Sequence, residues 1–489
     1  MVFTGIDIGT SGVKIVFTDE NDQVHASATR PLAVSRPQLH WSEQHPDLWW
    51  EAVVECLDEL AAEHPRAMAR CAGIGLSGQM LGPVLIDRDN RPVRNCILWN
   101  DGRAVDECEI LLAAIPDIGL RVGCNPNPGF VAPKLMWLAR HEPHILDQTD
   151  CVLLPKDYVR LKLTGERATE PTDAGGTHLM DVVSSRWEDD LANAANITAD
   201  RLPSVRSSHE AAGELTASLA RRWGMRSEIP VAAGAGDNMA GAVGVGVGEP
   251  GDVAISIGTS GVICAVDGNF QPIPDKAVIT HRHAVPRTYL SMGVALAATA
   301  CLDWAAGLLG VSPAELAGLA ADIDDPVRIA NAPVFLPYLS GIRTPHDRPQ
   351  ARGLLAGLDL ETDAAQVAWA VLEGVAFHVR DSIDVQRAAG VPIESVQFIG
   401  GGSRSRIWGE MIATLTGLTL NLPAGREVGA SLGAARLAMT AAGFAAPNVL
   451  LCRKPPSDGV IEPSAGLQPL LDERWARFQQ LISGTVDLL

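Results

Sequence analysis

The chain has 489 residues, 47% of them hydrophobic and 20% charged, with a formal net charge of −19. That length calls for two large domains, and the acidity argues against nucleic acid or an anionic membrane surface as a general partner. No apolar run is long enough for a transmembrane helix, the first residues lack the pattern of a signal peptide, and nine scattered cysteines without a C-x-x-C pair fit reduced thiols in a cytoplasm.

The first predicted element is a hairpin. Gly5-Ile6-Asp7-Ile8 and Val13-Lys14-Ile15-Val16-Phe17 read as strands around the turn Gly9-Thr10-Ser11-Gly12. A helix is expected after Pro46-Asp47, with Trp49, Val53, Cys56, Leu57 and Leu60 on one face. Residues 72–77 read as a buried strand leading into Gln79-Met80-Leu81, and 96–99 as another leading into Asn100-Asp101-Gly102-Arg103. Polar groups at strand C-terminal ends are where open α/β sheets bind ligands. Trp99, Asn100, Asp101 and Arg103 therefore offer a sugar-like ligand a flat wall and hydroxyl partners, with Gln79 and Met80 as a second edge.

Residues 230–236 read as a strand and turn, after which Asp237-Asn238 opens a helix of small residues. Glu249-Pro250-Gly251-Asp252 breaks the chain, placing the boundary between two domains at 1–248 and 249–489. A second hairpin follows, around Gly258-Thr259-Ser260-Gly261. Next come a strand at 394–399, the turn Gly400-Gly401-Gly402-Ser403, a helix over 406–416, and a helix of small residues opening at Val428, suited to a close joint between lobes.

The two hairpins are copies: residues 7–14 recur at 256–263 with six of eight positions identical, about half a chain apart. Their glycines permit positive φ and leave backbone N–H groups uncovered, which makes an anion-binding concavity. The turns supply Gly9, Thr10, Ser11 and Lys14 from the first copy, Gly258, Thr259 and Ser260 from the second, and Gly400–Ser403 beyond them, as a phosphate and nucleoside cradle. Only the first copy has an acid, Asp7. Beside phosphate an acid calls for an intervening cation, so Asp7 is assigned a water-mediated Mg²⁺ contact. Asp237, freed of bulk by Gly234-Ala235-Gly236, is the candidate base; on local sequence an ordinary helix N-cap explains it equally well. Two G-x-G-x-x-G matches, at Gly73 and Gly246, do not open a helix after a strand, no Walker-type loop exists, and His281-x-His283 lacks a third metal ligand.

Together with Gly129-Phe130-Val131-Ala132-Pro133-Lys134-Leu135 and Gly429-Ala430-Ser431-Leu432-Gly433, these motifs resemble the FGGY carbohydrate kinases of the actin, Hsp70 and sugar-kinase superfamily, over essentially the whole chain. The runs 41–44, 97–103, 154–158 and 335–341 resemble the members that act on ketopentoses. The resemblance implies an α/β fold of two ribonuclease-H-like domains with the active site in the cleft between them, closure on substrate, ATP with Mg²⁺, and Asp237 as the base. It implies D-xylulose as acceptor, bound by Gln79, Met80, Leu81, Trp99, Asn100, Asp101, Arg103 and Asn238. A homodimer is left open. One departure bears on the sugar: such members typically carry Met-His-Gly where this chain has Met80-Leu81-Gly82. Leu81 cannot hydrogen-bond a hydroxyl, so another ketopentose, a pentitol or a deoxyketose stays open as substrate. An ATP-switch chaperone or filament subunit is the alternative of another class, but it gives no reason for Trp99-Asn100-Asp101 or Gly236-Asp237-Asn238.

Overall fold

The computed structural model describes residues 1–425 and 429–485. Both copied turns close antiparallel hairpins, Val2–Ile8 with Gly12–Thr18 and Gly251–Ile257 with Gly261–Asp267. The repeat extends beyond the hairpins. In the first sheet the strand Cys71–Gly78 runs parallel beside Val2–Ile8, and Val24–Pro31 extends the far edge. In the second sheet Ile393–Ile399 runs parallel beside Gly251–Ile257, and Tyr289–Ala295 extends the far edge. The same meander with the same parallel neighbour appears twice, each in a seven-stranded sheet, as two ribonuclease-H-like domains require.

Helices cover these sheets with apolar faces. Pro46–Glu63 buries Trp49, Val53, Cys56, Leu57 and Leu60, the five residues its periodicity predicts. Ala364–Ala388, begun by a capping box from Asp363 and Gln366, does the same for the second domain. The predicted helix over 406–416 is Arg406–Thr416, stopped by Gly417 in the left-handed region.

The seam between the domains is built from small residues. The helix Gly429–Ala441, from the second half of the chain, lies on the first sheet; Val428, its expected start, is outside the described residues. A Cβ on Gly5 would fall well inside van der Waals contact of the Ser431 carbonyl, and one on Gly75 would strike that of Ala434. The Gly73-x-Gly75-x-x-Gly78 pattern is thus a packing surface inside a strand. Gly433 approaches Ala240, and Gly244 approaches Gly429, just as closely, so the helix Asp237–Gly244 is held backbone to backbone against the second half of the chain. Arg436 adds an ion pair to Asp22 at 3.0 Å.

Candidate active site

Sheet topology gathers the acids. Asp7 pairs with Ser77 across parallel strands, and Ala235-Gly236 pairs with Ser77-Gly78 on the other side of the same strand. The C-terminal ends of three adjacent parallel strands therefore present Asp7, the loop from Gln79, and Asp237 side by side. Gly236 is the N-cap of the Asp237 helix and makes no side-chain cap. Set one position inside the helix rather than at its cap, the Asp237 carboxylate accepts the N–H of Asn238 through one oxygen, at 2.8 Å. The helix start thus does not use up the carboxylate.

Electrostatics set these two acids apart. Loss of solvent, and then the charge of Asp7, push the Asp237 carboxyl up to about 7. Asp7 is also raised, by burial, against the opposing pull of its hydrogen bond from Ser77 and of the Lys14 charge. Lys14 is register-paired with Asp7 on the neighbouring strand. A carboxyl near 7 at a helix start is suited to taking a proton at neutral pH.

A cavity of about 240 Å³ opens at Asp237. Met80, Leu81, Trp99, Phe130, Asp237 and Asn238 line it from the first half of the chain, and Ser260, Ile279, His281, Met292 and Arg343 from the second. Its place between the domains, apolar walls and few polar groups suit a small polyol. Two glycines shape it: a Cβ on Gly236 would lie 2.6 Å from the Met80 sulfur, and one on Gly176 would collide with the Leu81 side chain. Leu81 itself holds φ +71°, uncommon for a branched side chain. Its carbonyl accepts from the buried ammonium of Lys134 at 2.8 Å, which also reaches the carbonyls of Gly129 and Ile97. Burial pushes Lys134 down to about 7.

Of the residues expected at the sugar, Met80, Leu81, Trp99 and Asn238 line this cavity; Gln79, Asn100, Asp101 and Arg103 do not. The Asp101 carboxylate is already saturated by the Ser42 N–H (2.6 Å) and by Arg103 Nε and Nη2 (2.8 and 2.7 Å). The Arg103 guanidinium lies 3.6 Å from the centre of the Trp41 ring and pairs with Glu43 at 2.8 Å. The buried ion pair is scaffold behind the wall. Asn100 is exposed. Gln79 accepts from the Thr10 hydroxyl at 2.8 Å and donates to Gln44 at 2.9 Å. The Thr10 hydroxyl in turn accepts from Trp99 Nε1 at 3.0 Å. Thr10 and Gln79 therefore brace the indole from behind, and tie the sugar wall to the first turn.

The turns fall where a cradle would be. The first is closed by Gly9 N–H to the Gly12 carbonyl (3.0 Å) and the second by Gly258 N–H to the Ser260 carbonyl (2.9 Å), with Ser11, Thr259 and Ser260 exposed. Parallel pairing sets Gly400 beside the second turn; its φ is +83°, and a Cβ there would lie 2.6 Å from the Ile257 carbonyl. Gly401 faces open space, whereas Ser403 is buried and donates to the Gly400 carbonyl at 2.7 Å, so its hydroxyl closes the turn. Ser260, read from sequence as a nucleotide contact, also reaches the cavity that holds Asp237. Through Ser260 the second turn thus reaches the same space as the acid.

Sequence reasoning did not assign Phe130, His281 or Arg343 to the cavity. Phe130 and Lys134 sit in the quoted 129–135 run without assigned roles, and Arg343 lies just past the quoted 335–341. For His281 the sequence offers a metal-ligand reading, without a third ligand, and a structural one that outweighs it. His283 instead bonds the Val247 carbonyl at 3.0 Å, and among the described residues no group of three or more His, Cys, Asp or Glu is arranged to hold a metal ion.

Residues 2–244 match the N-terminal domain, and residues 253–442 the C-terminal domain, of the FGGY family of carbohydrate kinases. A xylulose kinase of Escherichia coli K12 is 44% identical over 441 residues, covering 90% of both chains. One of Klebsiella pneumoniae is 42% identical over 440 residues, with the same coverage. A solved "xyloylose kinase" from Brucella ovis superposes with a TM-score of 0.97 at 41% identity, over 100% of both chains.

Proposed function

The chain belongs to the FGGY family of carbohydrate kinases, and from that premise we propose that it transfers the γ-phosphoryl group of ATP to a hydroxyl of D-xylulose, giving D-xylulose 5-phosphate. The observation that carries the reading is a carboxylate at a helix start, Asp237, bonded through one oxygen to the Asn238 N–H, at a polyol-sized cavity that Ser260 of the second turn also lines. The relatives named for xylulose supply the sugar.

Phosphoryl transfer needs positioning, charge neutralisation and a proton acceptor. In this reading the sugar lies along Trp99 and Met80. Its reacting hydroxyl gives its proton to Asp237 as its oxygen bonds to the γ-phosphorus and the bond to the β-phosphate oxygen breaks, releasing ADP. Backbone N–H groups of the turns at Gly9, Gly258 and Gly400 hold the phosphates. A buried carboxylate whose charge raises a second one beside it fits a divalent cation, so Asp7 is proposed to be the residue that would hold Mg²⁺, through water. The cation would neutralise charge on the β- and γ-phosphates. The division at 248/249, a cytoplasmic setting where nine free thiols stay reduced, and a homodimer belong to the same proposal.

Incubation with ATP, Mg²⁺ and a panel of ketopentoses and pentitols, followed by mass spectrometry, tests it. A phosphorylated ketopentose is expected; hydrolysis of ATP with no phosphorylated sugar would support the ATP-switch alternative.

A further inference from the structure

The wall where Leu81 stands is not apolar throughout. His281 enters it from the strand Ile279–Arg282 at the edge of the second sheet. The side chain is 1% exposed, and neither ring nitrogen has a hydrogen-bond partner among the described residues. A buried polar group without a partner is costly and needs an explanation. Burial pushes its pKa down to about 4, so at neutral pH the ring is uncharged, with one nitrogen donating and the other accepting.

The surroundings define where it points. A Cβ built on Gly176 would meet Leu81, then the Cε1 of His281 and the terminal methyl of Met80, each at 3.7 Å. Gly175 lies against the other side of the ring, 3.4 Å from Cγ on the same construction. Phe130 presents itself edge-on at 6.4 Å between ring centres and stacks on His178 at 4.3 Å. The glycine pair makes the room that Leu81 and His281 share. Met80 reaches from this wall to Gly236, with its sulfur against the start of the Asp237 helix. Met80 thus borders both this wall and the start of the Asp237 helix, and His281 and Asp237 line one cavity.

We propose that His281 is a specificity-determining residue that touches the sugar, its ring hydrogen-bonding a sugar oxygen other than the phosphorylated hydroxyl, at the wall where Leu81 offers none. The inference rests on the sugar-kinase reading. It makes polarity at this wall a contribution of the second domain, so the contact is completed across the cleft.

The test compares His281→Phe, which keeps a flat ring and removes both nitrogens, with His281→Gln, which restores a donor and an acceptor. For each, kcat and KM are measured for every sugar of the panel and for ATP, and melting is followed to confirm folding. H281F is expected to raise KM for the preferred sugar about tenfold, as loss of one hydrogen bond implies, with KM for ATP unchanged and H281Q recovering part of the loss. A folded H281F whose sugar KM stays within about twofold of wild type would overturn the proposal. Should H281F not fold, the histidine ring ¹⁵N signals of the wild-type protein, titrated with D-xylulose, decide: a shift of the His281 resonances supports the contact and their constancy refutes it. A wild-type protein that phosphorylates no sugar would instead sink the kinase reading beneath it.

Discussion

At the scale of single residues the account rests on Asp237, and its titration gives a signed prediction. A base must be ionised, and the Asp237 carboxyl is pushed up to about 7. The kcat/KM for the sugar should therefore fall about tenfold per pH unit below that value and level off above it, as the free enzyme's base titrates. A profile flat from pH 5 to 8 would remove Asp237 from the role. Leu81 carries the second residue-scale prediction. Leu81→His should shift preference toward D-xylulose among the panel sugars, by about a decade at most for one added hydrogen bond; an unchanged ranking would show that the side chain does not face the sugar. Much of this site was legible in the sequence because turn chemistry is local. Asp7 and the glycine turns are marked by the repeat, whereas Asp237, which an N-cap explains equally well on local sequence, is singled out by the family resemblance. Asp101 and Arg103 are placed outside the cavity, paired with each other beneath Trp41, because a polar cluster after a strand reads the same in sequence whether it faces a ligand or a neighbour. His281 stayed hidden because its neighbour Leu81 is two hundred positions away in the chain, and only the glycine pair at 175–176 brings them together.

At the scale of elements, the hairpins and most helices follow from periodicity, and Arg406–Thr416 matches its predicted bounds at both ends. What the pattern of small residues did not specify was the partner. The helix Gly429–Ala441 crosses to the first sheet because Gly5 and Gly75 remove the side chains that would keep it away. Such a contact has no slack, since an added methyl must push backbone rather than a flexible side chain. Gly5→Ala should accordingly lower the unfolding free energy by about 2 kcal/mol or more, measured by urea denaturation. A change under about 0.5 kcal/mol would mean that the seam can yield. The same joint holds the helix that begins at Asp237, so the mutant's loss of turnover should exceed that expected from its folded fraction alone.

At the scale of the whole molecule, two copies of one sheet motif face a shared cleft, and the functional asymmetry lies in what each contributes. The first brings both acids and the indole wall; the second brings Ser260, His281 and Arg343. Duplication was legible from six matching positions in eight, and with it Ser260, but His281 and Arg343 were not, since they come from a strand edge and a loop rather than from the repeat. The central claim is that this cleft moves phosphate from ATP to a sugar with Asp237 accepting the proton. It is tested most directly by sugar-dependent ADP release from the wild-type protein and from Asp237→Ala, each at saturating ATP and Mg²⁺. The account predicts release stimulated by a ketopentose in the wild type, a loss of 10²–10⁴-fold in the variant, as removal of a general base implies, and nucleotide binding retained in both. Equal sugar-stimulated release from the two proteins would contradict it.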